Sequence, residues 1–434
     1  ALDKKLTNEL SNSNDERNLQ IEKSIRSEIR VIGETLTSYE NRIAKDFPRY
    51  EELVSPRPMT PKDVQKLLKK EEAIVFYSGQ FGWVISEKTV HMIEFDIDEA
   101  ELERFVSKIR ESFYQKNGRL PRFPYRTAHG LYEKIFSPVE PYLSNIRHLM
   151  IIPDGPLESL PLSLLIRSPY ELGDKPQWLS QEYSLTTLPS ISSLKSLRAF
   201  SKARQTDSEP FIGFGNPTLE GGVSRHRGIK IAAIFDDSSQ AKGDVLRQLA
   251  LLPETEEELR IIARSLGAKT NRIYLGEQAT EERVKGLNLS MAKVIAFATH
   301  GLVAGEIKGW AEPGLVLTPP KIANNENDGV LTASEVAQLK LHPGLVILSA
   351  CNTAASNGKP GAEGLSGLAK AFFYAGSQSL LVSHWAVPSE AAKLLTTGMF
   401  ERLKGSPGLG YSEALRRSMM ALATQANYSH PIYW

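Results

Sequence analysis

Cysteine is nearly absent from this sequence. One thiol, Cys351, stands among 434 residues, which excludes an intramolecular disulfide and a cysteine-based metal cluster and leaves either an inert buried thiol or a working one. Long apolar runs are absent too. None approaches the ~18–20 residues that cross a bilayer, and the amino-terminal ALDKKLTNELSNSNDERN has no apolar centre of the kind a secretory signal needs. The expectation is a chain without a membrane partner and with a cytoplasmic address, although residue 1 is alanine rather than methionine and the first residues do not themselves set that address. A dominant charge is missing as well: 52 lysines and arginines face 51 acidic residues, so no global field draws the chain to nucleic acid. His91, His129, His148 and His226 are scattered without ligand spacing, and His342 and His430 read as structural, so no metal is expected. There is no Gly-x-x-x-x-Gly-Lys, and Gly213-Phe214-Gly215 lacks the third glycine of a dinucleotide loop and reads as a strand-end turn. Ser366 in EGLSGL lacks the Gly-x-Ser-x-Gly elbow of a serine hydrolase. No organic cofactor is called for.

What is present is apolar residue enough, 41% of the chain, to fill real cores, and length for two or three domains at roughly 100–200 residues each. From Ile21 to Tyr50, apolar residues recur every three or four positions between charges, the pattern of one long amphipathic helix that needs a partner surface. SPRPM, residues 55–59, ends it. Thr60-Pro61-Lys62-Asp63 then carries an N-cap hydroxyl, a proline at the first helical position and an acid in the first turn. AIVFYS, FGWVISE and TVHMIEF read as three strands with tight connections, followed by a charged helix from about Ile97 to Lys116, a helix near Arg126–Phe136 and the strand RHLMIIP. Asp154-Gly155-Pro156 marks a turn, and Leu157, Leu160, Leu162 and Leu165 are candidate core residues. KSLRAFSKARQTDSEP is the linker, its basic residues read as a solvated helix end rather than an RNA contact.

Beyond the linker the pattern becomes a regular alternation. FIGFGNP, NRIYLG, AKVIAFATHG, GLVILSAC and SQSLLVSHW are strands, and ETEEELRIIARSLG, TEERVKGLN, AEGLSGLAKAFFYAG and SEAAKLLTTGMFERL are helices. Strands apolar on both faces alternating with helices predict a mainly parallel sheet covered on both sides, whose carboxyl ends gather the chemistry. That rule selects His300, ending AFATHG, and Cys351, ending LVILSAC. If these strands are neighbours, about 4.8 Å apart, imidazole and thiol reach one substrate carbonyl. A thiol of pKa about 8.5 becomes a nucleophile at neutral pH when an imidazole takes its proton. Gly301, without a side chain, lets its amide approach the reacting oxygen, and with the amide of Cys351 forms a candidate oxyanion hole. Each residue alone has an ordinary structural explanation; their joint placement carries the reading. Ser383, His384, Trp385 and Glu390 fall near the same rim and are candidate substrate contacts, while an acid at Glu363 is accounted for by its place in the first turn of a helix. The loops at 219–244 and 322–329 are candidate regulatory or substrate-facing segments, and Arg225, Arg227 and Lys230 make the first a candidate for self-cleavage.

Together, AFATHG, GVLTASEVAQLKLHPGLVILSACNTA, GAEGLSGLAKAFFYAGSQSLLVSHWAV and HPIYW resemble the CHAT domain, a family grouped with caspases, separases and gingipains among cysteine peptidases. The likeness runs from about Met59 to the end and includes LMIIPDGPLESLPLSLL. It implies a caspase-like α/β fold, with residues 59–205 a degenerate caspase-like half, residues 206–434 the protease half, and residues 1–58 the end of a helical repeat region of the tetratricopeptide kind. It implies His300 and Cys351 as dyad, Gly301 and Cys351 as oxyanion amides, a protein or peptide substrate, and an upstream helical sensor or regulatory partner. Where many relatives read Trp-x-Val-Asp-Asp, this chain has Trp385-Ala386-Val387-Pro388-Ser389-Glu390, which removes the assurance of an acidic pocket for a basic side chain. The alternative is a caspase-like scaffold that docks partners without cutting. A weaker third reading, nucleic-acid binding through residues 195–204, would appear as steep salt dependence.

Overall fold

The computed structural model describes residues 59–115, 119–171, 173–200, 208–223, 246–302, 312–324, 326–350 and 367–434, with Ser24, Ser27, Glu28, Val31 and Ser38 as isolated helical, exposed positions before them. The chain divides into two units, residues 1–58 and residues 59–434. The rest of the helix expected over Ile21–Tyr50 lies outside the described residues.

Residues 59–434 hold two five-stranded sheets. The first is built from β1 (Glu72–Ser78), β2 (Phe81–Ser86), β3 (Val90–Glu94), β4 (His148–Ile152) and β5 (Ser184–Thr187), in the order β3-β2-β1-β4-β5. Its two tight hairpins run antiparallel, and β4 and β5 join in parallel. α1 (Pro61–Gln65) starts as its cap predicts: Thr60 accepts from the Asp63 amide at 3.3 Å. α2 (Glu99–Arg110) is capped in the same way by Asp98, and α3 (Tyr125–Ile135) follows. With Val75, Tyr77, Leu149 and Ile151 of the sheet they form one buried cluster. The opposite face, with Ile74, Ile85, Met150 and Ile152, is covered by α1 and by α4 (Ile191–Phe200).

The second sheet comprises β6 (Glu209–Pro217), β9 (Ile273–Gly276), β10 (Ala292–Ala298), β14 (Leu345–Leu348) and β15 (Leu380–Leu381), in the order β15-β14-β10-β6-β9, every neighbour parallel. β10 shows why both faces are apolar. Val294, Ala296 and Ala298 enter a cluster with α5 (Glu254–Ser265), α9 (Ser389–Gly405) and α10 (Tyr411–Ala423), whereas Ile295 and Phe297 enter one with α6 (Glu281–Gly286), α7 (Ala333–Gln338) and α8 (Gly367–Tyr374). Gly213-Phe214-Gly215 is a device for packing: a Cβ at Gly215 would stand 2.7 Å from Leu259 of α5 and 3.0 Å from the Ala298 carbonyl. Between these strands the chain forms a short parallel pair, β7 (Gly221–Val223) with β8 (Ala250–Leu251), and a small antiparallel sheet of β11 (Gly301–Leu302), β12 (Gly314–Val316) and β13 (Val330–Thr332).

The first core does not close on its own segment. Trp385 stacks on Phe113 with centroids 4.1 Å apart and donates its indole N–H to the Ile432 carbonyl at 2.9 Å, while Trp434 meets Trp178 edge to face at 4.8 Å. The carboxyl-terminal residues thus complete the core around α2 and α3.

Phe297 is fully buried, stacked on Phe214 at 5.2 Å and tilted against Phe372 at 5.5 Å. Phe297→Ala is expected to lower stability by about 3–5 kcal/mol in urea unfolding. Glu72 supplies a second, pH-dependent prediction. Burial opposes its ionisation but is outweighed by hydrogen bonding to His148 and Arg198, the latter at 2.5 Å, so its carboxyl is held at about 2. A carboxyl depressed in the folded state contributes its stability above the unfolded value and loses it as pH falls through the folded one. Glu72→Gln should therefore cost about 2–3 kcal/mol at pH 7, with the gap to the parent protein closing as pH falls from about 4.5 to about 2.

Candidate functional site

In the second sheet the chain passes from β6 to β9 on one side and then to β10 on the other, so the strand order reverses beside β10. In open parallel sheets a crevice forms at such a reversal, outside the carboxyl ends of the strands. His300 stands two residues beyond β10, 1% exposed. β14 is the neighbour of β10 in the register Phe297↔Leu348, extended by the Ser349 amide donating to the Phe297 carbonyl at 2.9 Å. The condition set by the sequence, that the two strands adjoin, is met. Cys351 itself, with Glu363 and Ser366, lies outside the described residues.

Backbone and side chain both fix His300. Its carbonyl accepts from the Val316 amide at 2.9 Å, and the Thr299 hydroxyl donates to the Val316 carbonyl at 2.5 Å, tying the strand exit to β12. Its Nε2–H donates to the Ala250 carbonyl at 2.7 Å. A carbonyl only accepts, so Nε2 carries the proton of the neutral ring and Nδ1 is the basic nitrogen. Ala250 is brought there by the β7–β8 pair, which joins Leu219, Leu246 and Leu249 in a small core with Leu302 and Val316. No side-chain chemistry marks Ala250 in the sequence, because the atom that meets the imidazole is a backbone oxygen. The loop expected at 219–244 begins with β7; residues 224–245, including Arg225, Arg227 and Lys230, lie outside the described residues.

Gly301 faces Leu315 in the β11–β12 ladder. Since the neighbouring His300 carbonyl takes the Val316 amide, antiparallel alternation turns the Gly301 N–H away from β12, toward the outer edge of the small sheet. The other end of that sheet is held by a buried carboxylate: Glu281 accepts from the amides of Asp328 and Gly329, each at 3.0 Å, and pairs with Lys285, which also reaches Glu335 at 2.6 Å. The segment 322–329 is thereby anchored at its carboxyl end.

The remaining candidates separate. Ser383, His384 and Trp385 line a cavity of about 360 Å³ beside Ser349 and Ala350, and the Ser383 hydroxyl donates to the Ala350 carbonyl at 2.7 Å. Burial, with the charge of Arg110 adding to it, pushes His384 down to about 4, so the ring is neutral at pH 7; among the described residues its buried Nδ1 has no hydrogen-bond partner. Trp385 serves the first core as well as the cavity wall. Glu390 is not on that wall: it lies exposed at the start of α9 and pairs with Lys393 at 3.0 Å. His430 is structural, accepting from the Ile432 amide and donating to the Pro121 carbonyl. In the basic linker, Arg198 is committed to Glu72. Among the described residues no His, Cys, Asp and Glu group could hold a metal ion, and no helix is long and apolar enough to cross a membrane.

The chain resembles tetratricopeptide repeat protein 28 of Homo sapiens, 28% identical over 346 residues, and the protein of the same name in Mus musculus, 26% identical over 339 residues. Each match takes in 70% of this chain, which spans only 12–13% of the length of those relatives. Among solved structures, the complex of Porphyromonas gingivalis RgpB pro- and mature domains aligns with 75% of this chain and 72% of that chain, at 11% identity and a TM-score of 0.32. The CHAT domain model matches residues 125–434, which takes in β4 through Trp434 and every candidate site residue named above, and the chain therefore belongs to the CHAT domain family.

Proposed function

We propose that this protein is a cysteine endopeptidase of the caspase-like class, with Cys351 as nucleophile and His300 as general base and acid. The observation that carries the reading is the β10–β14 register. From the paired residues Phe297 and Leu348, the count along the chain to His300 and to Cys351 is three in each case. Family membership supports it, as a caspase-like peptidase-related domain.

In this reading His300 Nδ1 accepts the thiol proton and the thiolate attacks the peptide carbonyl. The developing imidazolium is stabilised through Nε2–H on the Ala250 carbonyl. The amides of Gly301 and Cys351 hold the oxyanion. His300 then returns its proton to the leaving amine as the C–N bond breaks, leaving a thioester that water hydrolyses. A buried histidine whose outer nitrogen is fixed by a carbonyl is pre-oriented, which removes a reorganisation cost from the proton transfer. The sequence halves 59–205 and 206–434 are then the degenerate and the working caspase-like subdomains. Relatives named for tetratricopeptide repeats support an upstream helical partner that regulates access to the rim.

Incubating the full chain with a peptide library and reading products by mass spectrometry should show cleavage that Cys351→Ala abolishes while stability stays within about 1–2 kcal/mol of the parent protein. Iodoacetamide should modify Cys351 faster than a free thiol, and His300→Ala should bring that rate down to the free-thiol value. A thiol of ordinary reactivity in both proteins, with no cleavage, supports the scaffold reading instead.

A further inference from the structure

Among the described residues the first sheet ends at β3, and that edge is finished differently from the others. β5 and β15 both line the cavity beside Ala350, and on β9 the side chains of Ile273 and Tyr274 are buried. β3 instead carries Met92, 64% exposed. Four of the eight exposed large apolar side chains among the described residues gather here: Val90 and Met92 on β3, Phe81 on the adjoining β2, and Tyr142, whose ring stacks on His91 of β3 at 4.2 Å. Met92 lies across from Trp83 and Val90 across from Ile85, on the side of the sheet that α1 and α4 cover further along. Trp83 stacks on Phe76 at 5.3 Å and meets Phe81 at 6.4 Å, so the exposed methionine extends an aromatic shelf out to the edge. Exposed apolar residues on a strand edge are what natural sheets avoid unless another chain pairs there.

The β2–β3 ladder fixes which backbone groups this edge offers. The Thr89 carbonyl accepts from the Ser86 amide at 3.0 Å, and the Phe95 amide donates to the Gln80 carbonyl at 2.8 Å, so the odd-numbered residues of the strand turn their polar groups toward β2. Val90, Met92 and Glu94 turn theirs outward. These three are symmetric about Met92. A second copy running antiparallel across a two-fold axis pairs Met92 with Met92 and Val90 with Glu94, each by an exchange of two hydrogen bonds. The same register matches charge. It sets the turn that carries the exposed Lys88 of one copy beside Glu94 and Asp96 of the other, both of them exposed. In-register parallel pairing would instead set Lys88 beside Lys88 and Glu94 beside Glu94.

We infer that this edge is an interface between two copies of the chain, which join β3 to β3 antiparallel about Met92 and make one continuous sheet of their two first sheets. The inference does not depend on the peptidase reading. The paired Met92 side chains form the centre of the contact, each laid against the shelf of Phe81 and Trp83, where a flexible thioether packs well on aromatic edges. An edge of five residues with a small apolar centre makes a modest interface, so the dimer forms in the micromolar range and depends on concentration.

Sedimentation velocity of the full chain from about 1 to about 200 μM should show its mass rising from one chain toward two. Met92→Lys, which sets two like charges on the axis, should raise the dissociation constant at least about tenfold. Because Met92 is mostly exposed, that variant should melt with the parent protein. A second measurement reads the register directly. In a chain that also carries Cys351→Ala, Met92→Cys places the only two thiols of a dimer on residues whose Cα atoms stand about 5.5 Å apart, within disulfide range. Mild oxidation should link these chains at least about tenfold faster than chains with Ile322→Cys in the same background, although Ile322 is the more exposed of the two at 85%. A chain that stays monomeric at every concentration would overturn the inference. So would a dimer that Met92→Lys leaves unchanged and that Met92→Cys links no faster than Ile322→Cys. Weakening by Met92→Lys without the faster cross-link would overturn the two-fold register about Met92.

Discussion

The parallel pairing of β10 with β14 is the constraint on which the candidate site depends. Parallel strands are held by evenly spaced backbone hydrogen bonds, so a register once set at Phe297↔Leu348 carries forward along both strands. A slip of one residue would exchange the two faces of β10, moving Phe297 out of its stack with Phe214 and Phe372 and the small Ala296 and Ala298 away from α5 and α9. The packing of large residues on one side and small ones on the other therefore fixes the register. The register in turn fixes which residues emerge together at the carboxyl edge. Catalytic placement in the proposed mechanism is in this sense a consequence of core packing.

Around that edge the protein spends several small elements on one imidazole. β12 takes the backbone of Thr299 and His300, β8 presents the Ala250 carbonyl to Nε2, and Glu281 secures the far end of the small sheet through two amides. These contacts are local and polar, but each is held by an apolar cluster beneath it, Leu219, Leu246 and Leu249 under β8 being the clearest case. In the proposed mechanism, a histidine on an exposed loop would have to be ordered for each turnover. Here folding has already met that entropy cost.

The first sheet contributes more than a platform. Its core accepts Trp385, Ile432 and Trp434 from the carboxyl-terminal part of the chain, so the edge strands β5 and β15 are brought to opposite sides of one cavity. Leu157 and Leu162 from the first half line a wall that Ser383 and His384 complete from the second. The cavity is thus shared chemistry between two halves whose sequences carry different patterns.

Much of the second sheet was legible in the sequence because a strand buried on both faces must be a continuous apolar run, and five such runs separated by amphipathic helices admit few arrangements. His300 and Cys351 stood out for the same reason, as reactive residues ending two of those runs. β5, β7, β8 and β12 were not legible, since strands of two to four residues have too little periodicity to register and exist because neighbours supply their hydrogen bonds. α10 was not read from the sequence either, although Tyr411, Leu415, Met419 and Leu422 fall at helical spacing along it. By itself the sequence determined the α/β class, the two strand ends that carry His300 and Cys351, and the absence of a second thiol in the chain. Only tertiary structure decided that β10 and β14 adjoin, that a carbonyl of Ala250 orients the imidazole and that Glu390 stays outside the cavity, because each of these is a relation between segments distant in the chain, settled by which surfaces bury together.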